Sequence, residues 1–309
     1  MGAEQFIPDC SYEDFPYSER TGKGMRTLDC AGWVPEVPQV ELFLNVPYRT
    51  CPDRELVLHV VMPGSLHDPA PEPHPLVVYV PGSAFHRQRI DRSLPMMTAF
   101  AGRGYTVAVV EYRESDIEPF PAQAMDAKYA IQYLMEHAEE YRIAPGRLGV
   151  WGDSSGAHTA LACAFTAGRA GFTASDLVEY PIVGACGYYP PTAFYEMGDE
   201  PSICPHRDAM SPEGIELGGV EVTPETSRAA DLRTFVDGCA APVLLMAGDK
   251  DRTVPFGQSC LLNDALVAAG ADVTFYRLHG ADHGDPAFWS APALDLVAGF
   301  FDRCFGATA

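Results

Sequence analysis

The sequence predicts an α/β protein built on one mostly parallel, eight-stranded sheet flanked by helices, and three observations carry that expectation. Short, nearly continuous apolar runs such as LVVYVP at 76–81 and YTVAVVEY at 105–112 have the pattern of strands covered on both faces. Between such runs lie segments with helical periodicity, and strands alternating with helices imply a parallel sheet with right-handed crossovers. At 309 residues, 47% of them hydrophobic, the chain can bury a core of that size around one sheet.

Taken in order, residues 1–38 are rich in Pro, Gly, Tyr and acidic residues without periodicity, and are expected to form an irregular arm or lid edge. VELFLNVPY (40–48) and ELVLHVVMP (55–63), separated by TCPDR, suit two antiparallel strands joined by a hairpin. A Pro-rich connection, HDPAPEPHP, leads to the strand at 76–81. The segment AFAGRGY places glycine at a helix stop before the strand at 105–112. In AMDAKYAIQYLMEHAEEY (124–141), Met125, Tyr129, Ala130, Tyr133, Leu134 and Ala138 recur three or four apart, which predicts an amphipathic helix presenting that face to the core. RLGVWG (147–152) then reads as a strand, SSGAHTALACAFTAG as a helix and VEYPIVGACGYYPP as a strand. From about 192 to 240 the alternation breaks down into a Pro-, Gly- and acid-rich stretch, expected as an insertion over the carboxyl edge of the sheet. The rhythm resumes with PVLLMAGDKD, GQSCLLNDALVAAG, DVTFYRLHG and a last helix around LDLVAGFFDRCF. The catalytic domain is expected to span 39–309.

Forty-two acidic against 21 basic residues give a net charge of -21. Such a surface repels phosphate backbones and anionic headgroups, so nucleic acid and membranes are not expected partners, and neutral or cationic substrates are favoured. The first twenty residues lack the basic and apolar segments of a signal peptide, and no stretch is long enough to span a bilayer. Nine cysteines, an odd number without CxxC pairs, suggest reduced thiols and a cytoplasmic location.

Gly152-Asp153-Ser154-Ser155-Gly156 fits G-x-S-x-G between a predicted strand and a predicted helix. A sharp turn there would project Ser154 clear of the sheet, and the helix N-terminus would offer the Ser155 N–H to a developing oxyanion. A serine hydroxyl needs a base held by a carboxylate. Asp249 and Asp251 follow the predicted strand VLLMA, and His283 follows DVTFYRL, so all stand at carboxyl ends of strands, where open α/β sheets build their sites. His279 and His283, with Asp282 and Asp285, have the spacing of helical metal ligands, but Gly280 and Gly284 oppose a helix, so no metal and no cofactor is expected. His158 is expected to be a packing or hydrogen-bonding residue.

From about residue 75 onward the strings FPAQAMDAKYAIQYL, RLGVWGDSSGAH, APVLLMAGDKDRTVP and HGADHGDPAFW resemble the esterase and lipase branch of the α/β-hydrolase superfamily, close to carboxylesterases and the feruloyl or acetyl-xylan esterase-like group. The resemblance implies an α/β-hydrolase fold with a small lid, Asp251 as the triad acid beside Ser154 and His283, and a structural role for Asp249. It also implies an oxyanion loop after the third strand. Where relatives carry His-Gly-Gly-Gly before an aromatic, this chain reads Pro81-Gly82-Ser83-Ala84-Phe85. The donors are backbone N–H groups, so Ser83 and Ala84 can still serve, while their Cβ atoms narrow the site.

The expected activity is hydrolysis of small carboxylic esters with short or compact acyl groups through an acyl-enzyme on Ser154. Two other readings are a peptidase or amidase of the prolyl-oligopeptidase type, for whose usual propeller domain 309 residues leave no room, and a non-catalytic ligand receptor on the same fold. Receptors of that kind usually lose a triad member, and all three are present here.

Overall fold

Eight strands form one sheet in the computed structural model, which describes residues 11, 14, 17–28, 38–52, 54–64 and 72–306. The chain divides into two units, Met1–Glu36 and Val37–Ala309. Most of the arm expected over 1–38 lies outside the described residues. Within it, the Ser11 hydroxyl donates to the Asp14 carboxylate at 2.7 Å.

In the second unit, β1 (Val40–Thr50) and β2 (Glu55–Pro63) form the expected antiparallel hairpin. Residues 65–71 of the following connection lie outside the described residues. The sheet continues with β3 (His74–Val80), β4 (Thr106–Val110), β5 (Ile143–Asp153), β6 (Gly184–Tyr188), β7 (Val243–Gly248) and β8 (Val273–Leu278). Their spatial order is β1-β2-β4-β3-β5-β6-β7-β8, with β2 antiparallel to both of its neighbours and every later pair parallel. The order reverses at β3, which lies between β4 and β5. Connections leaving the carboxyl ends of β3 and β5 therefore diverge to opposite faces and open a crevice between them.

Side chains alternate across each strand, and both faces are apolar. Leu76, Val78 and Val80 of β3 enter one core with Val150 and Leu245; Val77 and Tyr79 enter the other with Trp151 and Met246. Helices α1 (Leu94–Ala101) and α7 (Ala291–Cys304) cover the second face through Met97, Phe100, Val297 and Phe301. Helices α2 (Ala122–Glu136), α3 (Ser154–Phe165) and α6 (Gly257–Ala268) cover the first.

Helix α2 ends five residues sooner than its sequence pattern predicts, and its buried stripe differs. Ala124, Ala127, Ala130, Ile131 and Leu134 are buried, whereas Met125, Tyr129 and Tyr133 are only partly so. Close approach to the alanine-rich α3 favours small residues at the contact, which turns the tyrosines to its flanks. There Tyr129 donates to Asp176, and Tyr133 stacks on His137 with ring centroids 4.1 Å apart.

The irregular stretch at 192–240 contains two short helices, α4 (Phe194–Met197) and α5 (Pro212–Glu216), and 3₁₀ turns. Phe194, Met197, Val222 and Ala230 form a small apolar cluster with Phe85, which follows β3, and Val254, which follows β7. The insertion thus packs on loops at the carboxyl edge of the sheet.

Candidate active site

At the end of β5 the chain turns into α3 with no intervening loop. Asp153 is extended, and Ser154 has φ +51°, a left-handed conformation that costs a side-chain-bearing residue roughly 1–2 kcal/mol. Glycines make so tight a turn sterically feasible. A Cβ on Gly152 would lie 2.3 Å from the Gly156 carbonyl oxygen, and one on Gly156 would lie 2.1 Å from the Val80 carbonyl oxygen. Val80 ends β3, so the second contact also locks the turn against the neighbouring strand.

The turn aims the Ser154 hydroxyl at His283. Ser154 Oγ lies 2.9 Å from His283 Nε2, and His283 Nδ1 lies 2.7 Å from Asp251 Oδ2. A carboxylate can only accept, so Nδ1 donates to Asp251, which leaves Nε2 to accept from Ser154. The Asp251 carboxylate also accepts from the Thr253 and Val254 N–H groups at 2.8 and 2.9 Å, which fixes its orientation. Asp249 is turned elsewhere, accepting from the exposed His279 ring at 2.8 Å and from the Gly280 N–H at 2.7 Å. Ser154, Asp251 and His283 are thus brought together from β5, β7 and β8, and Asp249 is excluded. His158 donates from Nε2 to the Ala230 carbonyl at 2.7 Å among Phe85, Phe120 and Phe194, and burial pushes its pKa down to about 4.

The oxyanion loop differs from expectation in one respect. The Ser83 N–H donates to the Ser155 side-chain oxygen at 2.8 Å and the Gly82 N–H donates to the Asp153 carboxylate at 2.8 Å. Ser155 carries a hydroxyl that takes up the Ser83 donor. Among the described residues, the Ala84 N–H has no acceptor, and the Ser155 N–H lies in the first turn of α3, where no preceding helical carbonyl exists to receive it. Ala84 and Phe85 both have positive φ, +54° and +62°. The Phe85 ring, 1% exposed, is held between Phe194 and His158.

Several neighbours of the site carry no motif signature. Tyr79 donates to Asp153, whose pKa burial raises against the pull of that bond, of the Gly82 N–H and of His283. Asp282 accepts from the His283 N–H at 2.8 Å and forms an ion pair with Arg252 that holds its carboxyl well below the usual range. The Tyr189 ring lies 4.6 Å from the His283 ring. Asp153, the second residue of the turn motif, and Asp282, beside His283, stand next to residues the sequence singles out, whereas Tyr79 comes from β3 and Tyr189 follows β6.

A cleft of about 590 Å³ borders this constellation, lined by Gly82, Asp153, Tyr189 and Gly284 and by the exposed Arg87, Arg89 and Arg92. Gly82 abuts the nucleophile turn, since a Cβ there would come within 2.8 Å of Ser154 Cβ. The net charge of -21 suggests a cleft suited to neutral or cationic molecules, yet three of the chain's 21 basic residues line it.

An α/β sheet reversing at β3, with a serine on a glycine-bounded turn after β5, defines a class of fold shared by many proteins, and the sequence places this chain within it. Residues 65–266 match BD-FAE, and the chain belongs to the BD-FAE family. It is similar to esterase LipQ of Mycobacterium tuberculosis, 28% identical over a 233-position match that covers 72% of this chain and 51% of LipQ. It is also similar to the probable carboxylic ester hydrolase LipM of the same organism, 24% identical over 60% of this chain and 43% of LipM. The chain therefore spans about half the length of these curated relatives. Among solved structures, a truncated carbohydrate esterase from gut microbiota superposes with a TM-score of 0.75 at 23% identity, covering 88% of this chain and 99% of that one. Est2, an esterase of Thermogutta terrifontis, gives 0.68 at 21% identity over 89% and 94%. These likenesses show the α/β-hydrolase fold.

Proposed function

We propose that the chain is a serine hydrolase of carboxylic esters, acting through an acyl-enzyme on Ser154. The observation that carries this reading is the chain of two hydrogen bonds from Ser154 Oγ to His283 Nε2 and from His283 Nδ1 to Asp251. Ser154 attacks the ester carbonyl while His283 takes its proton. Asp251 keeps the imidazole in the tautomer whose Nε2 can accept, and stabilises the imidazolium. Negative charge on the carbonyl oxygen is met by the N–H groups of Ser155 and Ala84 and by the positive end of α3. His283 returns its proton to the leaving alcohol, and a water molecule repeats the sequence to release the acid.

Support for this reading comes also from the relatives, whose names describe esterases and a carboxylic ester hydrolase. An intact triad weighs against a non-catalytic receptor. The preference for short or compact acyl groups is supported by the Phe85 side chain and the insertion cluster, which fill space beside the oxyanion loop. Among the described residues no helix is long and apolar enough to cross a membrane. We read the cytoplasm as the location, supported by the free thiols of all seven described cysteines.

The test is hydrolysis of p-nitrophenyl acetate by the wild type and by Ser154→Ala. We expect kcat to fall by about 10⁴-fold or more in the variant. A loss below tenfold would overturn the assignment of the nucleophile.

A further inference from the structure

Resting on the ester-hydrolase reading above, we propose that the preferred substrate carries a second, anionic group of the carboxylate class, and that Arg89 and Arg92, with Arg87, bind it in the cleft. Three arginines within six residues would mean little on an ordinary surface. On a chain with twice as many acidic as basic residues, their placement along the cleft that borders the Ser154 turn is against the overall charge.

Local structure explains how they converge. Residues Ile90–Ser93 form a 3₁₀ turn, in which the Arg92 N–H donates to the Arg89 carbonyl at 2.9 Å. With three residues per turn, positions 89 and 92 lie on the same face. Ile90 and Ser93 are buried and anchor the turn, leaving Arg89 and Arg92 exposed along the cleft. Counter-charges satisfy these arginines unevenly. Arg89 forms a bidentate pair with Asp91, and since both side chains are exposed the pair holds the guanidinium only weakly. Arg87 lies 3.7 Å from Glu111, which Arg54 also approaches at 3.7 Å. The Arg92 side chain makes no hydrogen bond or direct ion pair among the described residues, and shares the charge of Asp91 with Arg89. The acidic residue that lines the cleft with them is Asp153, and its carboxylate is taken up by Tyr79 and the Gly82 N–H. The cleft therefore presents net positive charge and planar donors that match a carboxylate.

The test compares esters that differ only in this anion, each rate divided by that of hydroxide-catalysed hydrolysis. For the acid side, the mono-p-nitrophenyl ester of adipic acid is set against p-nitrophenyl hexanoate. For the alcohol side, 3-carboxyphenyl acetate is set against phenyl acetate. We expect the wild type to favour the anionic member of one pair by about tenfold in kcat/KM at low salt, and the pair that responds identifies which side of the ester faces the arginines. Arg92→Gln and Arg89→Gln, each checked for unchanged thermal unfolding, should each lower that ratio about threefold or more, and 0.5 M NaCl should compress it. A ratio of one or below in both pairs, or a ratio that survives both substitutions, would overturn the anion proposal while leaving the hydrolase reading intact. Failure to hydrolyse any of the four esters would overturn the hydrolase reading and the proposal with it.

Discussion

Glu216 should make the protein less stable as pH rises through neutrality, and replacing it by glutamine should remove that loss. The residue ends α5, and its side chain is fully buried. One carboxyl oxygen accepts from the Ser115 hydroxyl, whose own oxygen accepts from Gln123 Nε2 at 3.1 Å; the other has no partner among the described residues. Burial, opposed by the Ser115 hydrogen bond and reinforced by Glu213, pushes its pKa from 4.5 up to about 8. Between those values the folded protein holds a proton that the unfolded chain releases. The stabilisation is therefore complete below about 4.5 and lost as pH rises through about 8. Its slope is at most about 1.4 kcal/mol per pH unit. From pH 5.5 to 7.5, the stability of Glu216→Gln relative to the wild type should thus climb by up to about 2.7 kcal/mol, or roughly half that if water relaxes the site. His158 acts in the opposite sense, its stabilisation being lost as pH falls from about 6.5 through about 4, but it is present in both proteins and cancels. Urea unfolding followed by tryptophan fluorescence at pH 5.5, 6.5 and 7.5 measures the difference. Parallel pH profiles for the two proteins would refute the reasoning.

Two paired substitutions test other parts of the account. Asp251→Asn should lower kcat/KM for a neutral ester by about 10²- to 10⁴-fold through loss of the His283 tautomer, whereas Asp249→Asn should cost under about tenfold; the reverse ranking would hand the acid role to Asp249. Gly156→Ala should destabilise the protein by about 3 kcal/mol or more, because its Cβ meets backbone at 2.1 Å. Gly299→Ala, inside α7 with open space around it, should stabilise by about 0.5–1 kcal/mol, and chemical denaturation of both variants checks the contrast.

What could be read from the sequence was whatever chemistry is local to the chain or tied to the end of a strand. The turn at Ser154 is specified within five residues, and Asp251 and His283 each follow an apolar run whose strand character is plain. The face of α2 was misplaced because hydropathy weighs a tyrosine above an alanine, while contact with α3 favours the smaller residue. Pairing of the Ser83 N–H with Ser155 joins positions 72 apart, and nothing in either segment announces it. Net charge averages over the surface and does not say where single residues stand, so the arginines at 87–92 acquire meaning only beside the end of β3. Glu216 reads as one more acid of an acidic insertion until its burial is seen.

The most direct test of the central claim is active-site labelling. A fluorophosphonate reacts quickly only with a hydroxyl that a neighbouring base activates and an oxyanion site receives. Mass mapping of the labelled protein should place a single adduct on Ser154, and His283→Ala should abolish it. An adduct on Ser155 or Ser83, or none at all on the folded protein, would contradict the account.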